Sequence, residues 1–586
     1  MDNIKLMNKI QKKLLKASKD GNFLEVTYQI YLKPIDEEEK PLLIDSIIEL
    51  HNKKDIDVVS EFSHLKNGMS GINFFQMRRV FEKVLPKINA EVPSVVECVN
   101  HIIAEAGGDL TASLIVEPFI EYCKIDICRC REALDIAKNK EELFEIIPPI
   151  IIAGSCLQLA EFVKKTITLM SHSNLEIRRQ AVFAIGKINY KENTSLISSA
   201  LNALDKSIKQ ERDDALLGNA LSSLYALYVL DNTLEDKIVT LIQIILKNKS
   251  EIIIHVTSNI LFLNKDISPP LLDLFLDVLK YVNPKKTGTL EIIDYVLVNL
   301  LESDNIDKAI SLLEYLLIKN EENISIEAFS SLSHELYKKD RKLLNMFVTR
   351  WLLSQKITLY QAVMNIVNHK YGDKIELSVD IKVIANQTEK CCFFIARKAV
   401  GWLCLSPISA ISFIISLLEY LHKKDIKAIT ELLFYPLLLN YPNKVKDYIV
   451  NILPKQPALS KKILKNVLKK LENYHDDLKS IKELPEMLPS EAQREAYSRL
   501  FNRQFLKSYE EAESKSSILS IFPKSILLYG HKSVYHVKNG TGEQGERAET
   551  KLHKMEHICE YPSLDYLDPH RFEYTIRVLR LEEMIK

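Results

Sequence analysis

Glycine is scarce in this sequence, with only 15 in 586 residues, well under half the ~7% of an average protein. Phosphate-binding loops and β-hairpins draw heavily on glycine, so its shortage favours helices joined by short turns. A basic surplus is also missing. The 78 Lys and Arg side chains are matched by 78 Asp and Glu, for a net charge of zero. Proteins that neutralise many phosphates carry excess positive charge, so nucleic acid is a disfavoured partner. Long hydrophobic runs are absent too. The most apolar stretch, residues 146–153 (IIPPIIIA), holds two prolines and falls far short of the ~20 residues of a membrane-spanning helix. The first residues, MDNIKLMNKIQKKLLKASKDG, lack the apolar core and small-residue cleavage site of a secretory signal. The nine cysteines show no repeated spacing, which suits reduced thiols and an expected cytoplasmic location rather than a disulfide scaffold.

What is present is ordinary for a folded protein, with 47% hydrophobic and 27% charged residues. The length requires several domains or a repeat array, because one hydrophobic core stops growing well below this size. Residues 169–188 (LMSHSNLEIRRQAVFAIGKI) give the key to the array. Ile177, Ala181, Ala184, Ile185 and Ile188 fall on one helical stripe, and Arg178, Arg179, Gln180 and Lys187 lie off it. The two alanines allow a neighbouring helix to come close, and Gly186 marks where the helix stops. Ala181 has a counterpart in Ala220, 39 residues on, followed by Ser258 after a further 38 and Ala328 after a further 70. A period near 39 matches one helix pair of the armadillo and HEAT class, whose repeats run ~40–47 residues.

The stretch from Asn174 to Ile188 resembles the second helix of a HEAT repeat, with Ile177, Arg178, Ala181, Ala184, Ile185 and Gly186 at the pattern positions. Residues 395–403 (IARKAVGWL) echo it, with Ala399 in the alanine role and Arg397 at the basic position. The Asp usual at the repeat turn is missing before Ile177. The resemblance implies an α-solenoid that binds partners through a groove of stacked helices. The expected fold is therefore all-α, a solenoid of antiparallel helix pairs with a small C-terminal α+β appendage. Its parts are an N-terminal helical region (1–165), HEAT-like repeats (166–490), a helix and linker (491–519) and the appendage (520–586).

Proline and glycine punctuate the chain every ~10–25 residues, the length of one helix or one hairpin. Gly68 to Gly71 reads as a turn leading into a more apolar stretch in which Asn73 precedes Phe74 and Phe75, Ser268-Pro269-Pro270 starts a helix, and Asn283-Pro284 closes it. The first helix, about 3–18, is amphipathic and basic, and reads as a solvated cap on the stack. After about 485 the composition shifts. Residues 492–514 read as a polar helix and 514–520 as a linker. Residues 525–537 (SILLYGHKSVYHV) have strand character around a tight turn at 529–532. Residues 538–550 hold three of the glycines and read as a polar loop. Residues 552–561 fit a strand or a helix equally. Asp568-Pro569 begins a last helix with Phe572, Ile576, Val578 and Leu579 inward.

No constellation rises to a specific chemistry. Cys123, Cys128 and Cys130 are the densest thiols, but no second ligand pair accompanies them, so they read as structural. The loop Gly540-Thr541-Gly542-Glu543-Gln544-Gly545 lacks the Gly-Lys-Ser/Thr ending of a P-loop, and neither a clear strand leads in nor a clear helix follows. No cofactor and no metal site is expected. His531, His553 and His557 belong to a histidine-rich tail and are the weak candidates for acid–base or metal chemistry, should the chain be an enzyme. The main expectation is a non-enzymatic protein-binding scaffold. Its candidate partner-binding residues are Arg178 and Arg179 on the repeat helix, Lys461, Lys465 and Lys469 on a lysine-rich helix face, and Tyr535, His536 and Arg571 in the tail. The alternatives are an enzyme or metal site in the appendage, and a nucleic-acid-binding solenoid using the lysine faces.

Overall fold

The computed structural model describes residues 2–32, 39–107, 114–303, 305–321, 323–338, 341–368, 375–385, 391–481, 489–515, 528–529, 532–536, 547–551, 560 and 562–584. Among the described residues the chain is all-α apart from three short strands. It divides into two units, Met1–Glu335 and Leu336–Lys586. Among the described residues no helix is long and apolar enough to cross a membrane.

In the first unit, short polar side chains start the helices. Asn73, Asn174, Asn193, Asp213 and Ser250 each accept a backbone N–H from the first turn that follows them. This satisfies donors that have no partner inside the helix. The helices form two layers. In one, Leu175–Ile185 packs on Asp214–Leu230, which packs on Glu251–Leu263, which packs on Thr287–Glu302. In the other, Leu159–Leu169, Thr194–Gln210, Glu235–Leu246 and Pro269–Leu279 follow one another in the same way. Ile177, Ala181, Ala184 and Ile185 are buried between the layers, as are Ala220, Leu221 and Leu224 one period on.

Gly186 has a stronger reason than stopping a helix. A Cβ there would lie 2.5 Å from the Cα of Ser223, while Ser223 Oγ donates to Val182 O at 2.6 Å. The glycine is required by the close approach of two helices rather than by its backbone angles.

The second unit is built on Cys391–Leu403. This helix packs on Arg341–Leu353, Ile357–Asn368, Pro407–Leu417 and Ile426–Leu432 from within the array, and on Pro569–Leu581 from the far end of the sequence. Enclosure on so many sides explains its composition, with Cys391, Cys392, Phe394, Ile395, Ala396, Ala399, Val400 and Leu403 all buried. Beside it, an extended stretch at 375–379 is fixed by one helix's serines. Ser412 Oγ accepts from Leu377 N, Ser416 Oγ accepts from Val379 N, and Ser409 Oγ donates to Ile375 O.

The 491–515 region is one helix, Glu491–Lys515, and every residue from 491 to 508 is exposed. The strands β1 (Leu528–Tyr529), β2 (Lys532–His536) and β3 (Arg547–Lys551) pair antiparallel in that order. Tyr529 faces Lys532 across the expected turn, and His536 faces Arg547. The region read as a polar loop to 550 thus gives up its last residues to β3. Of the 552–561 stretch only Glu560 is described. Pro569–Leu581 begins at the Asp568 cap, whose Oδ1 accepts from Arg571 N. Phe572, Ile576 and Leu579 are buried, whereas Val578 is 37% exposed.

Candidate functional site

The most elaborate polar arrangement in the second unit lies where Pro569–Leu581 crosses Cys391–Leu403. The attraction begins with an apolar stripe. Phe572, Ile576 and Leu579 recur at helical spacing and, with Leu564 just upstream, are buried. Each such side chain contributes roughly 1.5–3 kcal/mol of transfer free energy when fully removed from water.

The last turn of the docked helix has carbonyls with no partner within the helix. Lys398 supplies one. Its Nζ donates to Arg580 O at 2.7 Å and to Leu579 O at 3.1 Å, and the residue is 1% exposed. The ammonium also lies 5.2 Å from the Phe394 ring centre and 5.4 Å from that of Tyr360. A cation at a helix C-terminus interacts favourably with the helix dipole. Burial nevertheless pulls the Lys398 pKa down to about 8; the neighbouring Glu582 and Glu583 raise it, and Arg397 lowers it.

Gly401 allows the approach. A Cβ there would stand 3.1 Å from Arg580 N and from the Leu579 carbonyl carbon. Arg580 turns back over the seam, with Nε donating to Gly401 O at 2.7 Å and its guanidinium 4.9 Å from the Trp402 ring centre. Arg397 Nε meets Glu582 Oε2 at 2.5 Å.

Upstream, a second set of bonds holds the same segment. The two carboxylate oxygens of Glu560 accept from Asn443 N and Lys444 N, each at 2.9 Å, at the start of the helix Lys444–Ile452. The buried Asn440 accepts from Leu564 N at 2.8 Å. Beside the docked helix runs a groove of about 820 Å³ between Phe434, Leu439 and Tyr474 on the array and Tyr574 and Val578 on the helix.

The residues singled out from sequence are scattered. Arg179 makes a two-pronged ion pair with Asp213, Nε to Oδ1 at 2.8 Å and Nη2 to Oδ2 at 2.7 Å, and its Nη1 bonds Glu176. These bonds hold the Arg179 pKa above its ordinary value, Asp213 contributing most and Glu176 next. Arg178 donates to the carbonyls of His172 and Ser173 and lies 2.8 Å from Glu211. Both arginines therefore tie successive turns and helices of the first unit together. Lys465 and Lys469 are exposed and Lys461 is half-buried on Ala458–Ser480, whose Ile463, Leu464, Val467 and Leu471 face inward. Arg571 is exposed, 5.2 Å from the ring centre of Tyr435. Tyr535 and His536 lie in β2. His531, His553 and His557 lie outside the described residues.

Cys123 and Cys130 are buried together, Cys130 Sγ donating to Cys123 O at 3.3 Å, and Cys128 is exposed. The bond to Cys130 and burial both push the Cys123 thiol far above its ordinary value, which suits an inert thiol. Among the described residues no group of three or more His, Cys, Asp or Glu side chains is placed to hold a metal.

Lys398, Gly401, Asn440 and Glu560 were not singled out from sequence. Lys398 and Gly401 lie within residues 395–403, which the sequence offered only as an echo of the repeat helix. Asn440 and Glu560 carried none, since each acts through a partner more than a hundred positions away.

No protein-family model matches the chain, and no curated protein matches it. Among solved structures, the crystal structure of an engineered protein is similar over 80% of this chain and 99% of its own, at 12% identity and a TM-score of 0.19. A likeness at that score carries no argument about fold or function.

Proposed function

We propose that the protein is an α-solenoid scaffold of the HEAT-like kind that binds protein partners, with its last segment serving as a docking module. The observation that carries this reading is the seam itself. Helices of the second unit hold an amphipathic helix by an apolar stripe and by its last-turn carbonyls, which is the helix-in-groove mode of recognition. Two further features support it. The layered helices of the first unit repeat near the period found in the sequence, and the ion pairs of Arg178 and Arg179 act between neighbouring elements as repeat-stacking contacts do. A cytoplasmic location fits the free thiols.

The test is retention of proteins by the full-length chain from nuclease-treated extract. Defined partners should be retained. Retention that disappears with nuclease would overturn the reading in favour of nucleic acid.

A further inference from the structure

We propose that the Lys398 seam is a receptor for an amphipathic helix of a partner protein, with the chain's own Pro569–Leu581 as the resident competitor. This rests on the protein-binding reading above and names the ligand class and the regulation of that site.

The seam reads features that another chain could present. Lys398 bonds only backbone carbonyls of a terminal helical turn, so any helix ending at this point would satisfy it. The remaining contacts define a sequence pattern. Apolar residues stand at 572, 576 and 579, an arginine follows at 580, and a carboxylate at 582 pairs with Arg397. A partner helix would carry apolar residues at i, i+4 and i+7, Arg at i+8 and Asp or Glu at i+10. Gly401 demands that its backbone, and not merely its side chains, come close.

The resident helix fits this receptor imperfectly. Lys398 is buried with no carboxylate among the described residues hydrogen-bonded to its ammonium, and burial already draws its pKa down. Trp402, 7% exposed, has an indole N–H with no hydrogen-bond partner among the described residues. An unpaired buried donor costs its full desolvation, which a ligand supplying an acceptor recovers. What favours the resident is its tether. It belongs to the same chain as the seam, and an attached ligand acts at an effective concentration that a free one must overcome. The seam is closed by default and opens to a ligand with better contacts.

The test uses the full-length chain and a fluorescent peptide with the sequence of residues 560–584 as the probe. Ile576→Glu with Leu579→Glu opens the seam while keeping the segment attached. The probe should bind this opened chain at least about tenfold more tightly than wild type, since the tethered competitor is gone. Adding Lys398→Met should weaken the probe by about fivefold or more. Equal binding to the opened and wild-type chains, or none by an opened chain whose circular dichroism is unchanged, would overturn the proposal. Should the opened chain lose helicity, wild type suffices. Saturating probe should speed hydrogen exchange at amides 576–581, and unchanged exchange would count against displacement. A concentration-dependent dimer of wild type that is lost in the opened variant would make a second copy the occupant and overturn the partner version. Failure of the probe while the full chain still retains proteins would sink the seam as receptor and leave the scaffold reading standing.

Discussion

A lysine with 1% exposure is expensive to bury, and Lys398 offsets that cost through what it binds. Its two carbonyl acceptors fix where the docked helix ends, and without it those carbonyls lose their partner. Its pKa gives a test with a definite sign. The docked value is about 8 against an ordinary 10.5, so docking releases a proton between those values and strengthens as pH rises through that window. Below pH 8 the group is charged in both states and the dependence vanishes. In the opened chain, probe affinity should therefore rise from pH 8 upward, and Lys398→Met should flatten the curve, as read by anisotropy titrations at each pH. Gly401 offers a second test. In Gly401→Ala the new methyl would press on the backbone of Leu579 and Arg580, not on a yielding side chain. Exchange at amides 572–581 should become markedly faster while the interior of Cys391–Leu403 stays protected, as mass spectrometry can follow.

Elements in the first unit are joined by ion pairs placed at helix starts. Asp213 both caps Asp214–Leu230, accepting from Leu216 N, and accepts the fork of Arg179 from Leu175–Ile185, its neighbour in the same layer. One carboxylate thus sets a helix start and the offset between two helices. Both partners remain partly solvated, with 29% and 23% of their side-chain surface exposed, so screening keeps the pair to about 1 kcal/mol. Arg179→Ala and Asp213→Asn should each destabilise by about that amount, and the double variant should lose less than the sum, as expected for residues in contact. Denaturant melts of the four chains give the coupling directly. The exposed stretch of the Glu491–Lys515 helix makes the opposite prediction. With every residue from 491 to 508 exposed, little tertiary packing supports it, and isolated helices of this kind are marginal in water. Its amides should exchange well before those of Cys391–Leu403, under the same conditions and in the same chain.

At the scale of the whole molecule, the two units use one building rule differently. In the first, each helix meets neighbours near in sequence, so the repeat period carries the packing. In the second, Cys391–Leu403 and Asn440 also take partners from beyond position 560. Within the second unit, probe-induced exchange changes should centre on Cys391–Leu403 and on the backbone around Asn440, the partners of the displaced segment.

The sequence by itself determined the helices and their inward faces. Apolar spacing, helix starts such as Ser268-Pro269-Pro270 and Asp568-Pro569, and the shortage of glycine are local properties, and local properties are legible one window at a time. It also located the stripe of the last helix, apart from Val578, which lies at the edge of that stripe and faces the groove. Tertiary structure decided which charges are engaged within the fold. Arg179 is spoken for by Asp213, 34 positions on, and no window around residue 179 contains that fact. It decided too that Gly186 and Gly401 are clearances between backbones, since a glycine's reason lies in what would otherwise collide with it. The seam at Lys398 was the least legible part of all. A buried lysine can be read only once its acceptors are known, and here they lie 181 and 182 residues further along the chain.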